Sequence, residues 1–308
     1  MPYQNLLDAI THQAPKLFGQ GQVADYIPAL KRVNPQQFGI ALLTADGQLF
    51  QAGQADTRFS IQSISKVLSL TLALQRHGEQ LWQRVGIEPS GTAFNSLVQL
   101  EYEQGKPRNP FINAGALVVV DALLSRNAMP VHSMLTTVRR LAGNPAITMD
   151  EVVSESEYQH RERNAAMAWL MKSYGNFHND VDAVLKAYFQ FCALHMSCVE
   201  LVRTFSFLMN QGICLQSGQR ILSARQTQQI NALLLTSGLY DAAGDFAVRV
   251  GMPGKSGVGG GIIGAVPGKF TVCVWSPELN EYGNSVAGLY ALEQLAEHLN
   301  SSIFRGLG

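Results

Sequence analysis

The sequence has no excess charge of either sign. Its 308 residues carry 23 Lys+Arg against 23 Asp+Glu, and no long basic stripe runs through them. Nucleic acid and anionic membranes are therefore poor partners. Zero net charge does little to keep copies apart, so a homo-oligomer, dimer or tetramer, is expected. Cysteine is scarce: Cys192, Cys198, Cys214 and Cys273 form no Cys-x-x-Cys pair, and each sits among apolar residues. Buried thiols in a reducing cytoplasm are expected. The histidines are scattered. His160 stands near Glu157 and Glu162, but no His-x-x-x-His partner exists, so a solvated turn is expected there rather than a metal. Neither metal nor cofactor is expected. The longest apolar stretch, Phe111 to Leu124, is interrupted by Asn113 and Asp121 and is too short to span a bilayer. Met1 to Gln20 lacks a charged start followed by an apolar core, so it does not read as a signal peptide, and a cytoplasmic location is expected. No repeat, linker or low-complexity tract stands out.

What is present reads as one large domain or two intimate ones. Gln4 to Phe18 has helical apolar spacing and stops at Gly19 and Gly21. Val23 to Leu30 is a short element containing Tyr26 and Pro28. Phe38 to Leu43 and Gln48 to Ala52 read as strands around the turn signal Asp46-Gly47. From Gly78 to about Leu235 helical patterns dominate: Phe111 to Leu124, Val131 to Ala142, Asn164 to Met171, Asp180 to Phe191, Cys198 to Asn210 and Ala224 to Leu235. Thr148, ahead of Asp150 and Glu151, looks like a helix N-cap. Phe246 to Gly251 alternates as a strand would. Ile262 to Val266 and Lys269 to Trp275 flank the turn Pro267-Gly268, and Ser285 to Leu299 is amphipathic. The fold class is therefore α/β (α+β). It combines a mostly antiparallel sheet from both termini, flanking helices and an inserted helical subdomain, with a site in the cleft between them.

Where the chain leaves the first strands stands Ser63-Ile64-Ser65-Lys66, followed by an apolar run to Leu74. A serine and a lysine three apart share a helix face, and a helix N-terminus supplies free N–H groups and favours negative charge. Acyl transfer needs these parts: a hydroxyl, a nearby amine to take its proton, and a donor for the oxyanion. Alone, the motif reads more readily as an N-cap and a solvated lysine. A second motif narrows the choice. Gly254-Lys255-Ser256 lacks the upstream glycine of a P-loop, since Arg249 stands there. Gly259 to Gly264 matches G-x-G-x-x-G but leads into a strand, so the dinucleotide reading fails its context. Lys255-Ser256-Gly257 instead reads as the Lys-Thr/Ser-Gly strand beside the nucleophile of β-lactamases and penicillin-binding proteins, with Val258 N–H as a second oxyanion donor.

Taken together, the residues resemble the serine-dependent glutaminases, particularly the short bacterial type. The resemblance runs from about Val23 to Trp275. It rests on Val23 to Pro28, Gln62 to Lys66, Glu88-Pro89-Ser90-Gly91 with Phe94-Asn95, Pro107 to Ala116, Ser156-Glu157 and Arg163-Asn164. Tyr188-Phe189-Gln190, Gly238 to Asp241 and Pro253 to Val258 complete it. Glu162 stands where aspartate is expected, and the ankyrin repeats of eukaryotic members are absent. The resemblance implies a β-lactamase/transpeptidase-like fold. It implies a single catalytic domain over 1–308, with the sheet from about 1–66 and 236–308 and the helices from about 67–235. It also implies hydrolysis of L-glutamine to L-glutamate and ammonia. Ser63 is then the nucleophile, Lys66 its activator and Tyr240 a proton shuttle. Tyr26, Asn113, Glu157, Asn164, Tyr188, Tyr240 and Val258 contact substrate, and Lys255, Ser256 and Gly257 support the site.

The chemistry agrees with that assignment. Glutamine is a zwitterion, so Glu157 can pair with its ammonium while asparagines and tyrosines bond its carboxylate. Lys66 must be neutral to accept a proton, and burial with Lys255 nearby is expected to lower its pKa. Two rivals share parts of the pattern. A β-lactam-directed enzyme would not need Glu157, and a non-catalytic amino-acid-binding protein would not need Ser63.

Overall fold

The computed structural model describes residues 2–90 and 97–305; the resemblance at Gly91, Phe94 and Asn95 lies outside the described residues. In chain order the elements are α1 (Pro2–Gln13), β1 (Gly39–Thr44), β2 (Leu49–Gly53), β3 (Phe59–Ser60), α2 (Ser65–His77), α3 (Leu97–Tyr102), α4 (Asn113–Ser125) and α5 (Pro130–Ala142). They continue with β4 (Thr148–Met149), α6 (Glu151–Tyr158), α7 (Glu162–Ser173), α8 (Val181–Cys192), β5 (Leu194–Met196), α9 (Cys198–Thr204), α10 (Ser206–Met209) and α11 (Ala224–Ser237). Last come α12 (Ala243–Arg249), β6 (Gly254–Ser256), β7 (Gly261–Val266), β8 (Phe270–Trp275) and α13 (Val286–His298).

The five-stranded sheet has the order β2-β1-β8-β7-β6, and every pairing in it is antiparallel. The register Ile40↔Val274 and Leu42↔Val272 sets side chains of period two on opposite faces. Ile40, Leu42, Val272 and Val274 face α1 and α13 in one core. Ala41, Leu43, Cys273 and Trp275 face the helices in another. With both faces covered, β1, β7 and β8 are buried along their whole length, whereas the edge strand β2 is partly exposed. All four cysteines are free and buried. No single helix among the described residues is long and apolar enough to cross a membrane.

Several local expectations are corrected. The Phe246 to Gly251 alternation is not a strand. It falls on α12 and the turn after it, where Phe246 and Val250 are buried four apart while Val248 is 87% exposed. Helical spacing therefore decides its conformation. The N-cap of α6 is Asp150, whose carboxylate accepts from the N–H groups of Val152 and Val153; Thr148 lies in β4. The helix expected over Cys198 to Asn210 breaks at Phe205 into α9 and α10. Val23 to Leu30 is irregular, with a short 3-10 turn over Leu30–Arg32. A second sheet, β3-β5-β4, has strands of two or three residues, too short to show a period. It matters for the site: with Ile61 N–H on Leu194 O at 2.9 Å and Ser60 Oγ on Cys192 O at 3.0 Å, it anchors the chain just before Ser63.

Candidate active site

Ser63 lies in a 3-10 turn over Gln62–Ile64 that runs straight into α2. It therefore precedes the α-helix instead of opening it. Gln62 has φ +49°, a left-handed conformation that costs a non-glycine residue about 1–3 kcal/mol. The turn is fixed from outside. The Gln62 amide donates to Ser60 Oγ and to Glu157 Oε1, both at 2.9 Å. The 257–259 loop packs against it without side chains. A Cβ at Gly257 would stand 2.5 Å from Ile61 O, and one at Gly259 2.1 Å from Ser60 O, so glycine is required at both.

Ten residues of α2, from Ser65 to Leu74, are buried, which carries Lys66 into the interior at 1% exposure. Its Nζ donates to Phe111 O at 3.1 Å and Asn113 Oδ1 at 2.7 Å. Asn113, first residue of α4, passes the contact on from its amide to Asn164 Oδ1 at 3.2 Å. Asn164 lies inside the first turn of α7 and is not its cap. Burial brings the Lys66 pKa down to about 8, against the opposing pull of Cys192 and Glu157. Lys255 does not contribute to that shift as expected. The effect runs the other way: burial and then the Lys66 charge push Lys255 well below its usual range. Lys255 is fully buried on β6. It donates to Gly238 O at 2.8 Å and Ser256 O at 2.7 Å, and sits 4.3 Å above the Tyr240 ring.

Tyr240 has φ +54°, a second strained residue. Burial pushes its phenol up to about 12, while the Ser63 and Ser256 hydroxyls it faces hold it down. The phenol therefore stands on the nucleophile, with a lysine above its ring and a serine at its side. Glu157, near the end of α6, is 9% exposed. Burial raises its carboxyl to about 7, against the Gln62 hydrogen bond and the Lys66 charge. Tyr188 on α8 is 5% exposed, and burial holds its phenol protonated.

These groups share one cleft of about 360 Å³, lined by Tyr26, Ser63, Asn113, Glu157, Asn164, Tyr188, Tyr240 and Val258. Lys66 meets it through Asn113, and Lys255, Ser256 and Gly257 support it from behind. Tyr26 stands at the rim, 57% exposed. Sequence reasoning missed five further wall residues: Ile27, Gln62, His160, Arg163 and Cys192. Gln62 had one legible signal, its place directly before the nucleophile. Arg163 had the same signal, directly before Asn164, whereas His160, in the turn after α6, and Cys192, at the end of α8, had none. His160 is exposed at the mouth with its Nδ1 2.7 Å from Ser156 O, and no cluster of three metal-ligating side chains occurs among the described residues.

Chemically, the cleft offers a hydroxyl, a buried amine, a phenol touching that hydroxyl, and a buried carboxyl group bonded to Gln62. It suits a small zwitterion with an acyl group. Comparison with known proteins agrees. The glutaminase family model matches residues 21–304. The chain is similar to the glutaminase of Pseudomonas entomophila, with 62% identity over 304 residues covering 99% of each. Its structure is similar to that of the probable glutaminase ybaS, with a TM-score of 0.91 and 36% identity over 98% of this chain and 99% of the other. It is also similar to a probable glutaminase from Bacillus subtilis complexed with 6-diazo-5-oxo-L-norleucine, with a TM-score of 0.89 and 31% identity over 99% and 97%. These neighbours share the β-lactamase-like fold.

Proposed function

The chain belongs to the glutaminase family and hydrolyses L-glutamine to L-glutamate and ammonia; from that premise we propose that the reaction runs through an acyl-enzyme on Ser63. The observation that carries this reading is the meeting of Ser63, Lys66, Tyr240 and Glu157 around one cleft. Glu157 pairs with the substrate ammonium. Asn113, Asn164, Tyr188 and Tyr26 bond the carboxylate end. Ser63 Oγ attacks the side-chain amide carbon, and the N–H groups of Ser63 and Val258 take the oxyanion.

A neutral Lys66 has two N–H bonds and one lone pair. The two hydrogen bonds, to Phe111 O and Asn113 Oδ1, match its two N–H bonds, leaving the lone pair for the Ser63 proton. Near neutrality a useful fraction of an amine with a pKa of about 8 is neutral. Tyr240, already on Ser63, relays that proton to the departing nitrogen, which leaves as ammonia. Water then attacks the acyl-enzyme over the same groups in reverse. Lys255 holds the Tyr240 ring and the carbonyl ends of Gly238 and Ser256.

The experiment is intact-mass analysis after incubation with 6-diazo-5-oxo-L-norleucine, the compound complexed with the Bacillus subtilis relative. One covalent adduct on Ser63, absent in Ser63→Ala, supports the reading; an adduct elsewhere refutes it. We read the chain as a single catalytic domain working in the cytoplasm as a dimer or tetramer. Its zero net charge and the exposed Val98, Tyr102 and Trp169 on the packed pair α3 and α7 support self-association. Light scattering giving only monomer would refute that part.

A further inference from the structure

Behind the catalytic cleft lies a second cavity of about 320 Å³. The two share Val258 in their walls, and three segments reach both. In the irregular stretch from Val23 to Val33, Tyr26 and Ile27 line the cleft whereas Leu30 and Val33 line the cavity. On α6, Val153 lines the cavity and Glu157, one turn on, the cleft; residues four apart share a helix face. After β3, Ser60 lines the cavity and Gln62 the cleft, joined by their 2.9 Å hydrogen bond. The partition is a small hydrophobic cluster that includes Ile27, Leu30, Val153 and Val258 and is separate from both main cores. Its tether from the irregular stretch to α6 is a long hydrogen bond, Ala29 N–H to Ser156 Oγ at 3.4 Å. Any repacking of this wall would act on Val258 directly and on Tyr26 through its neighbour Ile27.

The cavity's chemistry defines what fits. Its charges are already matched. Arg58 is bound to Glu200 at 2.7 Å, and Asp150 accepts two N–H groups of α6. A charged ligand would therefore have to compete for groups that already hold partners. Leu30, Val33, Val153 and Trp275 offer an apolar body, and His195 a hydrogen-bonding end. Burial holds the His195 ring below its ordinary pKa, hence neutral. A cavity of about 150 Å³ holds benzene, so this one has room for a bicyclic ring.

We propose that this cavity binds a small uncharged molecule with an apolar body and one hydrogen-bonding end, and that its occupancy tightens glutamine use by stiffening the shared partition. The coupling rests on Tyr26 and Val258 contacting substrate; the binding itself does not.

Indole is the probe, measured by calorimetry on the intact protein with saturating glutamate present. The expected result is one site that glutamate does not displace. In turnover, indole lowers the glutamine KM about fivefold at unchanged kcat, the lower range of couplings between sites. Val33→Trp and Ala29→Phe fill the cavity: both abolish indole binding and hold KM low without indole. If one of them fails to fold, the other decides. Absence of binding, equal binding in the filled variants, or displacement by glutamate overturns the site. Binding with no change in KM overturns the coupling while leaving the catalytic assignment to the mass experiment.

Discussion

Glu157→Gln tests the proposal that one buried charge selects the substrate. The side chain is nearly buried, accepts one hydrogen bond from Gln62 at 2.9 Å, and has its pKa raised to about 7 by burial. The amide keeps the shape and removes the charge. Leaving an ammonium buried without its partner costs about 2–5 kcal/mol. At about 1.4 kcal/mol per tenfold, the lower bound is roughly a 30-fold loss in kcat/KM for glutamine. The analogue lacking the α-amino group brings no ammonium and should lose much less. A pH profile sharpens the test, because kcat/KM reports groups of the free enzyme. Glu157 must be ionised and Lys66 neutral, so both losses of a proton raise activity. Between about pH 7 and 8 the wild-type log profile should have slope one, from Lys66. Below about pH 7 it should steepen toward two, as Glu157 becomes protonated as well. Glu157→Gln should keep slope one throughout. So should wild type acting on the desamino analogue. Equal losses on the two substrates, or an unchanged slope of two in the variant, would refute the ammonium assignment.

Tyr240→Phe removes the phenol that faces Ser63 and should lower kcat at least about 100-fold with KM little changed; a parallel rise in KM would make Tyr240 a binding group instead. Lys66→Met should abolish turnover yet stabilise the fold. The fall from 10.5 to about 8 corresponds to about 3 kcal/mol, offset in part by the unpaired Asn113 Oδ1 and Phe111 O. Because the folded value is depressed, the wild-type penalty is full below about pH 8 and fades toward 10.5. The gain in urea midpoint should therefore be largest at neutral pH and shrink with alkalinity; a destabilised Lys66→Met at pH 7 would sink the argument. Asp121 on α4 is fully buried and holds Arg84 and the N–H groups of His178 and Asn179. Asp121→Ala should cost about 3–5 kcal/mol by urea denaturation, since a guanidinium and two N–H groups lose their acceptor; a loss under about 1 kcal/mol would show that water replaces it.

The sheet was legible because its hairpins carry turn residues at the right places. Asp46-Gly47 and Pro267-Gly268 each join strands that pair as expected, and the helices of the middle region showed their 3.6-residue period. What failed was short or locally ambiguous. The α12 sequence alternates apolar residues, yet only Phe246 and Val250 reach the core while Val248 is left in water. Two apolar residues four apart fit both periods, and tertiary packing chose the helix. Strands β3, β4 and β5 have no period at all, so the small sheet that anchors Ser63 could not be read.

The site divides along the same physical line. Ser63 and Lys66 were legible from local spacing, a serine and a lysine three positions apart where the chain enters α2. Glu157, Asn164 and Tyr188 come from α6, α7 and α8, and local pattern gave each a bland alternative; family resemblance alone singled them out. Gln62 shows why. Its left-handed backbone contradicts local propensity, and its amide is explained only by Ser60 and by Glu157, 95 positions away. Such a residue is held in place by the assembled structure and not by its neighbours in sequence, and functional sites are where that conflict is expected. The same logic covers the buried cations. Lys66 and Lys255 would be errors in a core chosen for stability, since each is desolvated without a carboxylate bonded to it. Their depressed affinity for protons is the property that acyl transfer near neutral pH requires. Under the proposed mechanism, the burial of these two lysines serves the activation of Ser63.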